Sequence, residues 1–313
     1  MPTAKLIDLL TPYRTISIIG MAKNVGKTTT MNHLIKEFAK NDTALALTSI
    51  GRDGEITDIV TNTKKPEIFV FKGTIIATTE KLLGFSDISK EIICTTQVNT
   101  ALGQVVIVRA QSDGHVQLGG PSITAQLSQL LIDISQLGVE KTLVDGALSR
   151  KSLANPQVTA ATILCTGASV HPESQTVIDE AAHFVKMLTL PPVTDSNILK
   201  AIIASSEEKI VKNDDFIYVS GALTDAYVSG LIMSNYPLKA VKLIADDASK
   251  IFIKPATYEK LEIKGAKLMV LKAINLVALT INPTAPSGID FDSEEFLDKF
   301  RKRLHIPVFN CQR

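Results

Sequence analysis

Short apolar runs rich in β-branched residues alternate along the chain with longer stretches whose apolar residues recur at helical spacing. This alternation is typical of an α/β fold in which a mostly parallel sheet is flanked by helices. The pattern predicts strands over 15–20, 43–49, 91–96, 104–110, 141–146 and 161–166. It predicts helices over 27–40, within 121–137 and over 175–188.

One segment departs from this alternation. In VVIVRAQSDGHVQLGG, two apolar stretches flank Ser112, Asp113 and Gly114, which are residue types that favour tight turns. We therefore expect an antiparallel hairpin to be inserted here into the otherwise parallel sheet.

The segment TLPPVTDSN, residues 189–197, is the best candidate for a domain boundary because it contains paired prolines and several helix-capping residues. After it the alternation resumes, with strand, turn and helix over 216–233 and again over 276–304. We expect one domain over 1–190 and a smaller C-terminal α/β region over 191–313 that packs on or extends the same sheet.

Composition excludes several classes of partner. The 313 residues include 33 basic and 32 acidic ones, so neither nucleic acid nor an anionic membrane is expected to bind. Tryptophan is absent and aromatic residues make up 5%, which also argues against a base-stacking surface. The cysteines, Cys94, Cys165 and Cys311, share no close spacing, so we expect no disulfide framework and no zinc site. We expect a cytoplasmic protein without a secretory signal or a membrane-spanning helix.

The first predicted strand runs through a glycine-containing turn into a helix, in SIIGMAKNVGKTTTMNHLI. Backbone N–H groups in such a turn converge on an anion, and the helix dipole favours negative charge there. Gly26 lets the backbone approach phosphate, Lys27 reaches the β- and γ-phosphate oxygens, and the Thr28 hydroxyl ligates Mg²⁺. The other expected contacts of this phosphate-binding loop (P-loop) are Gly20, Asn24, Val25 and Thr29.

The start of the loop departs from the usual spacing G-x-x-x-x-G-K-S/T. Its first glycine position is occupied by Met21, and Gly20 stands one residue early. We expect Gly20 to supply the conformational freedom that the missing glycine normally gives. A working nucleotide site is therefore expected despite Met21, and a helix start without any ligand is the alternative.

Two aspartates are candidate ligands of the metal. Asp145 ends the apolar strand KTLVD, as does the aspartate that holds Mg²⁺ in P-loop proteins. A surface aspartate that merely ends a strand is the alternative. Asp53 follows the second strand within RDGE, which is equally good turn chemistry. We predict Lys27, Asp53 and Asp145 as catalytic residues, and Thr28, Asp53 and Asp145 as metal ligands.

The choice of base is less clearly encoded. The guanine-reading motif N-K-x-D is absent, which favours ATP over GTP. Asn282, in TINPTAPSG, is a candidate contact of adenine, because an Asn-Pro segment touches the base in some adenine-using relatives.

Basic residues near the predicted strand ends are further candidates. Arg52 and Arg109 are candidates for neutralising phosphate charge, although a lone arginine at a strand edge is more often solvated. Residues 149–151, Ser-Arg-Lys, follow Asp145 closely and are a candidate for the segment that responds to the γ-phosphate. An ordinary helix start is the alternative.

Several phrases resemble known families. The loop AKNVGKTT resembles those of the molybdopterin-guanine dinucleotide protein MobB, dethiobiotin synthetase and the ParA-like ATPases, which keep G-K-T while the early loop varies. Longer phrases resemble the KamB-type proteins of anaerobic amino-acid fermenters, namely GMAKNVGKTTT, TTQVNTALGQVVIVRAQSDGHVQLGGPS, LVDGALSRKSLANP, ATILCTGASVHPE and VSGALTD. This second resemblance covers most of residues 15–235, with weaker support from INPTAPSGIDFD.

KamB-type proteins are encoded beside an adenosylcobalamin-dependent D-lysine aminomutase and are named as a subunit of its reactivase. The resemblance implies an ATPase that works with a second subunit, KamC, to exchange damaged cobalamin in the aminomutase for intact cofactor. ATP would then have to bind one conformation better than another. The residues leave two alternatives open: a small-molecule kinase or ligase of the dethiobiotin synthetase type, and a non-catalytic partner subunit whose nucleotide-binding loop binds nucleotide weakly or not at all. A homo-oligomer also stays open.

Overall fold

The structure, a computed structural model, forms two compact units. It describes residues 5–51, 67–146, 158–205, 207–234, 236–286, 288 and 290–312. The first unit consists of Met1–Ala181 with Leu276–Arg313, and the second of Ala182–Asn275. None of the described helices is both long enough and apolar enough to cross a membrane.

Helices and strands follow each other in the first unit much as the apolar pattern predicts. The helices are α1 Leu6–Leu10, α2 Lys27–Lys40, α3 Glu80–Leu83, α4 Thr124–Ser135 and α5 Ser174–Leu188, the last of which continues into the second unit. The strands are β1 Thr15–Gly20, β2 Leu45–Ser49, β3 Ile68–Val70, β4 Ile75–Thr79, β5 Lys90–Thr100, β6 Gly103–Ala110, β7 Gly114–Val116, β8 Lys141–Asp145 and β9 Ala161–Gly167.

The second unit has its own strands and helices, after which the chain returns to the first. Its helices are α6 Ser196–Ala204, α7 Asp225–Met233 and α8 Pro255–Ile263. Its strands are β10 Ile210–Lys212, β11 Phe216–Val219, β12 Leu223–Thr224, β13 Lys242–Asp247, β14 Ile251–Phe252 and β15 Lys267–Lys272, with a 3₁₀ turn at Ala248–Lys250. The returning elements are β16 Leu276–Asn282, α9 Ser293–Arg303 and β17 Val308–Asn310.

The large sheet of the first unit has the strand order β17-β16-β9-β1-β8-β2-β4-β6-β5. Neighbours from β17 to β4 are parallel, whereas β6 is antiparallel to both β4 and β5. β1 therefore lies in the interior of the sheet, between β9 and β8. Because parallel strands share one carboxyl edge, the residues that follow β1, β8, β9 and β16 lie at the same edge. The predicted α/β fold with a mostly parallel sheet is confirmed.

Adjacent residues of β2 explain why helices are needed on both faces of this sheet. Leu47 packs in an apolar cluster with Leu34 of α2. Its neighbour Ala46 faces the other way and packs in a second cluster with Leu130 of α4. Since helices cover both faces, every residue of β2 is buried, rather than every second one.

The second unit is a smaller layered arrangement of the same kind. Its sheet has the order β10-β11-β13-β15, in which β11, β13 and β15 are parallel and β10 is an antiparallel edge strand. Leu243 of β13 packs with Val228 of α7 and Leu261 of α8. The next residue, Ile244, packs on the opposite face with Ile198 of α6.

The structure divides the chain elsewhere than predicted. Residues 276–313 do not continue a region that starts at 191, because β16 pairs with β9 and β17 pairs with β16 in the first sheet. The predicted division into 1–190 and 191–313 is replaced by an insertion of residues 182–275. The paired prolines that indicated a boundary follow the end of α5.

The predicted hairpin around Ser112, Asp113 and Gly114 is also corrected. β6 pairs with β4 and β5, whereas β7 pairs with β3 in a separate two-stranded sheet. Asp113, one of the predicted turn residues, accepts the Lys72 N–H through Oδ1 at 2.8 Å. This hydrogen bond joins the segment before β7 to the segment that follows β3. The antiparallel hairpin of the large sheet is instead formed by β5 and β6.

Packing of α9 tests the assignment of the C-terminal residues to the first unit. Phe300 is fully buried and lies 4.9 Å, between ring centroids, from Phe296. We expect Phe300→Ala to lower the free energy of unfolding by about 3–5 kcal/mol, because it leaves a cavity in the core. Phe85, which is 73% exposed, is the matched control. Phe85→Ala should change the free energy by less than about 0.5 kcal/mol in urea titrations. Equal effects of the two substitutions would contradict the packing.

Candidate functional site

A strand, a loop and a helix form the centre of the candidate site. β1 ends at Gly20, α2 begins at Lys27, and Gly26 between them caps the helix in a left-handed conformation with φ +87°. Asn24 is also left-handed, with φ +60°. This arrangement lies at the carboxyl edge of a mostly parallel sheet, where anionic ligands are commonly bound.

The first amides of α2 are left open. Thr30 N–H bonds to Gly26 O at 2.9 Å, but no hydrogen bond in the described part of the chain uses the N–H groups of residues 26–29. The first turn carries no acidic residue and no side-chain cap. In contrast, side-chain oxygens of Asp195, Thr224 and Asp292 accept N–H groups in the first turns of α6, α7 and α9. The N-terminus of α2 therefore offers donors and the positive end of a helix dipole to an anion.

Gly20 replaces the missing first glycine by providing space. The φ angle of Gly20 is not in the left-handed region, so the prediction that Gly20 supplies conformational freedom is wrong. A Cβ at this position would lie 2.8 Å from Val25 Cγ2 and 3.0 Å from Lys27 Cδ. The stem of Lys27 therefore passes directly over Gly20, and a larger residue would displace it. Met21 N–H bonds to Cys165 O at 3.0 Å, which continues the pairing of β1 with β9.

Asn282 lies against the loop at the end of β16. Its Nδ2 donates to Asn24 O at 3.0 Å. A Cβ on Gly26 would come within 3.0 Å of Asn282 Cβ, so residue 26 must be glycine for space as well as for its positive φ. The contact of Asn282 with an adenine base stays a prediction.

Lys27, Thr28 and Asp145 share the carboxyl edge. Lys27 and Thr28 are half-buried, and no described carboxylate forms an ion pair with Lys27. Asp145 is the last residue of β8 and stands opposite Ile18 of the neighbouring β1. Its carbonyl oxygen accepts the Ile50 N–H at 3.1 Å, which keeps β2 and β8 in register at this edge.

These groups fit a phosphate chain with a divalent cation. Amide N–H groups and an ammonium group are donors for phosphate oxygens. The Thr28 hydroxyl and the Asp145 carboxylate are the oxygen ligands that Mg²⁺ prefers, and Mg²⁺ commonly takes few protein ligands beside phosphate.

Other predicted residues do not join this group. Arg109 stands opposite Ile75, the first residue of β4, and therefore lies towards the amino edge of the parallel strands. Its guanidinium lies 3.4 Å from Glu91 Oε2. The prediction that Arg109 neutralises phosphate charge is therefore wrong. Asp53, Arg52 and residues 149–151 lie outside the described residues.

A buried polar cluster beneath α2 was missed in the sequence. Thr30 Oγ1 lies 2.9 Å from Thr280 Oγ1, and Thr280 donates to Cys165 Sγ at 3.1 Å. Thr280 and Asn282 are alternate residues of β16, so they face the same side of the strand. That alternation is the sequence signal that could have identified them as a pair. They attach the first turn of α2 and the preceding loop to one strand.

Comparisons with solved structures show a distant likeness in fold. No protein-family model matches the sequence, and no curated protein matches it. The chain is similar to the crystal structure of the signal recognition particle receptor FtsY from Elizabethkingia anophelis, with 11% identity and a TM-score of 0.31. The match covers 92% of this chain and 65% of that one, so the chain spans less than two thirds of its length.

The reactivity of the three thiols tests whether Cys165 and Cys311 are buried. Burial raises the pKa of the Cys165 thiol, and burial raises that of Cys311 to about 12, whereas Cys94 is exposed. A raised pKa lowers the thiolate fraction, and the thiolate is the reactive species. We expect Cys94 alone to react rapidly with a disulfide reagent at pH 8, and the two buried thiols to react more than about 100-fold more slowly. Cys94→Ser should abolish the rapid phase. Two rapid thiols in the native protein would contradict this account.

Proposed function

We propose that this protein binds Mg²⁺–ATP at the loop before α2 and hydrolyses it. The observation that carries the proposal is the run of uncommitted N–H groups at residues 26–29, beside Lys27 and Thr28. Side-chain caps occupy the equivalent donors in α6, α7 and α9. The helices α3, α4 and α8 also lack a side-chain cap, but they begin with Glu80, Thr124 and Pro255, whereas α2 begins with a lysine after a left-handed glycine. An uncapped helix end of this kind is suited to an anionic ligand.

Each residue has a defined task in this proposal. The amides and Lys27 bind and orient the β- and γ-phosphates. Thr28 and Asp145 would hold Mg²⁺, with Asp145 acting through water, and Asp53 is a further proposed ligand. Bound Mg²⁺ supplies neutralisation of the charge on the phosphate oxygens. The preference for ATP over GTP rests on the missing N-K-x-D motif.

Substitution of Lys27 tests nucleotide binding. Mg²⁺–ATP that binds only the folded state should raise the melting temperature, with about 2.7 kcal/mol of added stability at a hundredfold excess over Kd. We expect Lys27→Ala to lose this shift and the ATP hydrolysis. Lys36→Ala, an exposed substitution farther along α2, should retain both.

Outcomes of this pair separate the alternatives. A wild-type melting temperature unmoved by saturating Mg²⁺–ATP would contradict the proposal and favour a non-catalytic subunit. Equal losses in the two variants would show that the effect of Lys27→Ala is not specific to the loop.

We further propose that ATP turnover serves the reactivation of an adenosylcobalamin-dependent lysine aminomutase, together with a second ATPase subunit. The support is the resemblance of several phrases to KamB-type proteins, among them GMAKNVGKTTT and LVDGALSRKSLANP. In this scheme ATP favours one conformation of the complex, and hydrolysis removes that bias. The cobalamin is bound by the aminomutase.

Stimulated hydrolysis tests this role. We expect lysine aminomutase that carries inactivated cobalamin to raise the ATPase rate when the second subunit is present. Lys27→Ala should abolish the stimulated rate, and aminomutase with intact cofactor should stimulate less. An unstimulated rate in the complete mixture would contradict reactivation. A rate that depends instead on a small metabolite would favour the kinase or ligase alternative.

A further inference from the structure

The peptide between Asn24 and Val25 is held from one side. Asn24 O accepts two hydrogen bonds, from Asn282 Nδ2 at 3.0 Å and from Ser169 Oγ at 3.2 Å. Asn24 is one of the few non-glycine residues in the described chain with a positive φ. Such a conformation is uncommon, and it persists where neighbouring groups fix it.

The direction of the Val25 N–H follows from that of the Asn24 carbonyl. The peptide is trans, so its C=O and N–H point to opposite sides. With the carbonyl turned towards β16 and the segment after β9, the N–H is turned away from them. Within the described ranges the Val25 N–H makes no hydrogen bond of full geometry, although the turn at residues 23 and 24 brings it to the side of Ala22 O. It therefore adds a donor to the open amides of residues 26–29.

The orientation of the Asn282 side chain is itself determined. Asn282 Oδ1 accepts the Thr284 N–H at 3.3 Å and the Thr284 hydroxyl at 3.0 Å. Gln312 Nε2 also donates to Asn282 Oδ1, and to Thr284 Oγ1 at 3.0 Å. A backbone N–H can only donate, so the oxygen of Asn282 must face Thr284. The amide nitrogen is thereby left to face Asn24.

We propose that Asn282 and Ser169 are positioning residues that turn the Val25 N–H towards the phosphates, and that Gln312 orients Asn282. This inference rests on the proposed nucleotide site and deepens it. Asn282 serves the phosphate end of the nucleotide and acts through the Asn24 carbonyl. Loss of either donor leaves that carbonyl freer to rotate, and the Val25 N–H then loses its fixed direction.

Ligands with and without a base test the proposal. Inorganic triphosphate, ATP and GTP are titrated calorimetrically with Mg²⁺ into the full-length protein. We expect Asn282→Ala to raise Kd for all three by the same factor, roughly 3- to 10-fold, the range for one lost hydrogen bond. The ratio of ATP to GTP affinity should not change. Weaker ATP binding with unchanged triphosphate binding would overturn the proposal, because it would indicate a contact with the base.

Two further variants of the donors make the test independent of one substitution. Ser169→Ala removes the second donor at a less buried position, and we expect a rise in Kd for triphosphate of about 2- to 5-fold. Asn282→Asp keeps the acceptor oxygen but replaces the donor with a charged oxygen, so it should weaken triphosphate binding more than Asn282→Ala does. Wild-type affinity in both Ser169→Ala and Asn282→Asp would overturn the proposal.

Asn99 offers a control at the far edge of the same sheet. It is exposed and lies on β5, the edge strand opposite β17. Asn99→Ala should leave all three affinities unchanged. An equal loss in Asn99→Ala and Asn282→Ala would overturn the positioning role. Wild-type protein that binds neither ATP nor triphosphate would overturn the proposed function as well, whereas wild-type binding with unaffected donor variants would overturn only this inference.

Discussion

Parallel pairing of β16 with β9 is the interaction on which the geometry of the site depends. The chain leaves the first unit within α5, after Ala181, and returns to it at Leu276, yet β16 joins the same sheet beside β9. The pairing ends with Asn282 opposite Gly167, and Ala168 N–H bonds to Asn282 O at 2.9 Å. Two side chains of one strand are thereby fixed under the loop and the first turn of α2. The loop before α2 is local in sequence, but its support comes from the far end of the chain.

The N-terminus of α2 differs electrostatically from those of the described helices that have side-chain caps, because its first turn has neither a cap nor an acidic residue. A helix end normally satisfies its free N–H groups with a cap, as Asp195 and Asp292 do here. In α2 the capping residue is Gly26, which has no side chain, and the carbonyl of Asn24 is drawn away by neighbouring donors. The free donors are therefore an organised feature of the loop. Binding a phosphate there would satisfy groups that the protein leaves unsatisfied.

The sequence predicted the local parts of this site well. The bounds of β1 and α2 agree with the predicted 15–20 and 27–40, because an apolar run, a glycine turn and helical periodicity are all properties of neighbouring residues. Asp145 was likewise found at the end of its predicted strand. The strand that contains Asn282 was predicted, but its partner was not, since periodicity says nothing about pairing across a long insertion. The hairpin around Asp113 failed for the same reason: turn residues show where a chain bends but not which strand it then meets.

Pairing across the insertion also explains why the contact of Asn282 with the loop was not predicted, whereas its contact with an adenine base stays a prediction. The sequence shows an amide near a proline loop, and only the fold brings it to the loop after β1. Met21 made the match to the phosphate-binding motif weaker in the sequence, because it occupies the position of the first glycine. In the structure its N–H continues the sheet, and the close packing that the motif needs lies at Gly20.

The most direct test of the central claim is the response of individual backbone amides to ligand. Deuterated, ¹⁵N-labelled protein would be titrated with Mg²⁺ and a non-hydrolysable ATP analogue while the amide resonances are followed by NMR. The account predicts that the largest shifts occur at Val25 and at residues 26–29. Unchanged resonances at these positions, with saturable shifts confined to residues 182–275, would contradict it.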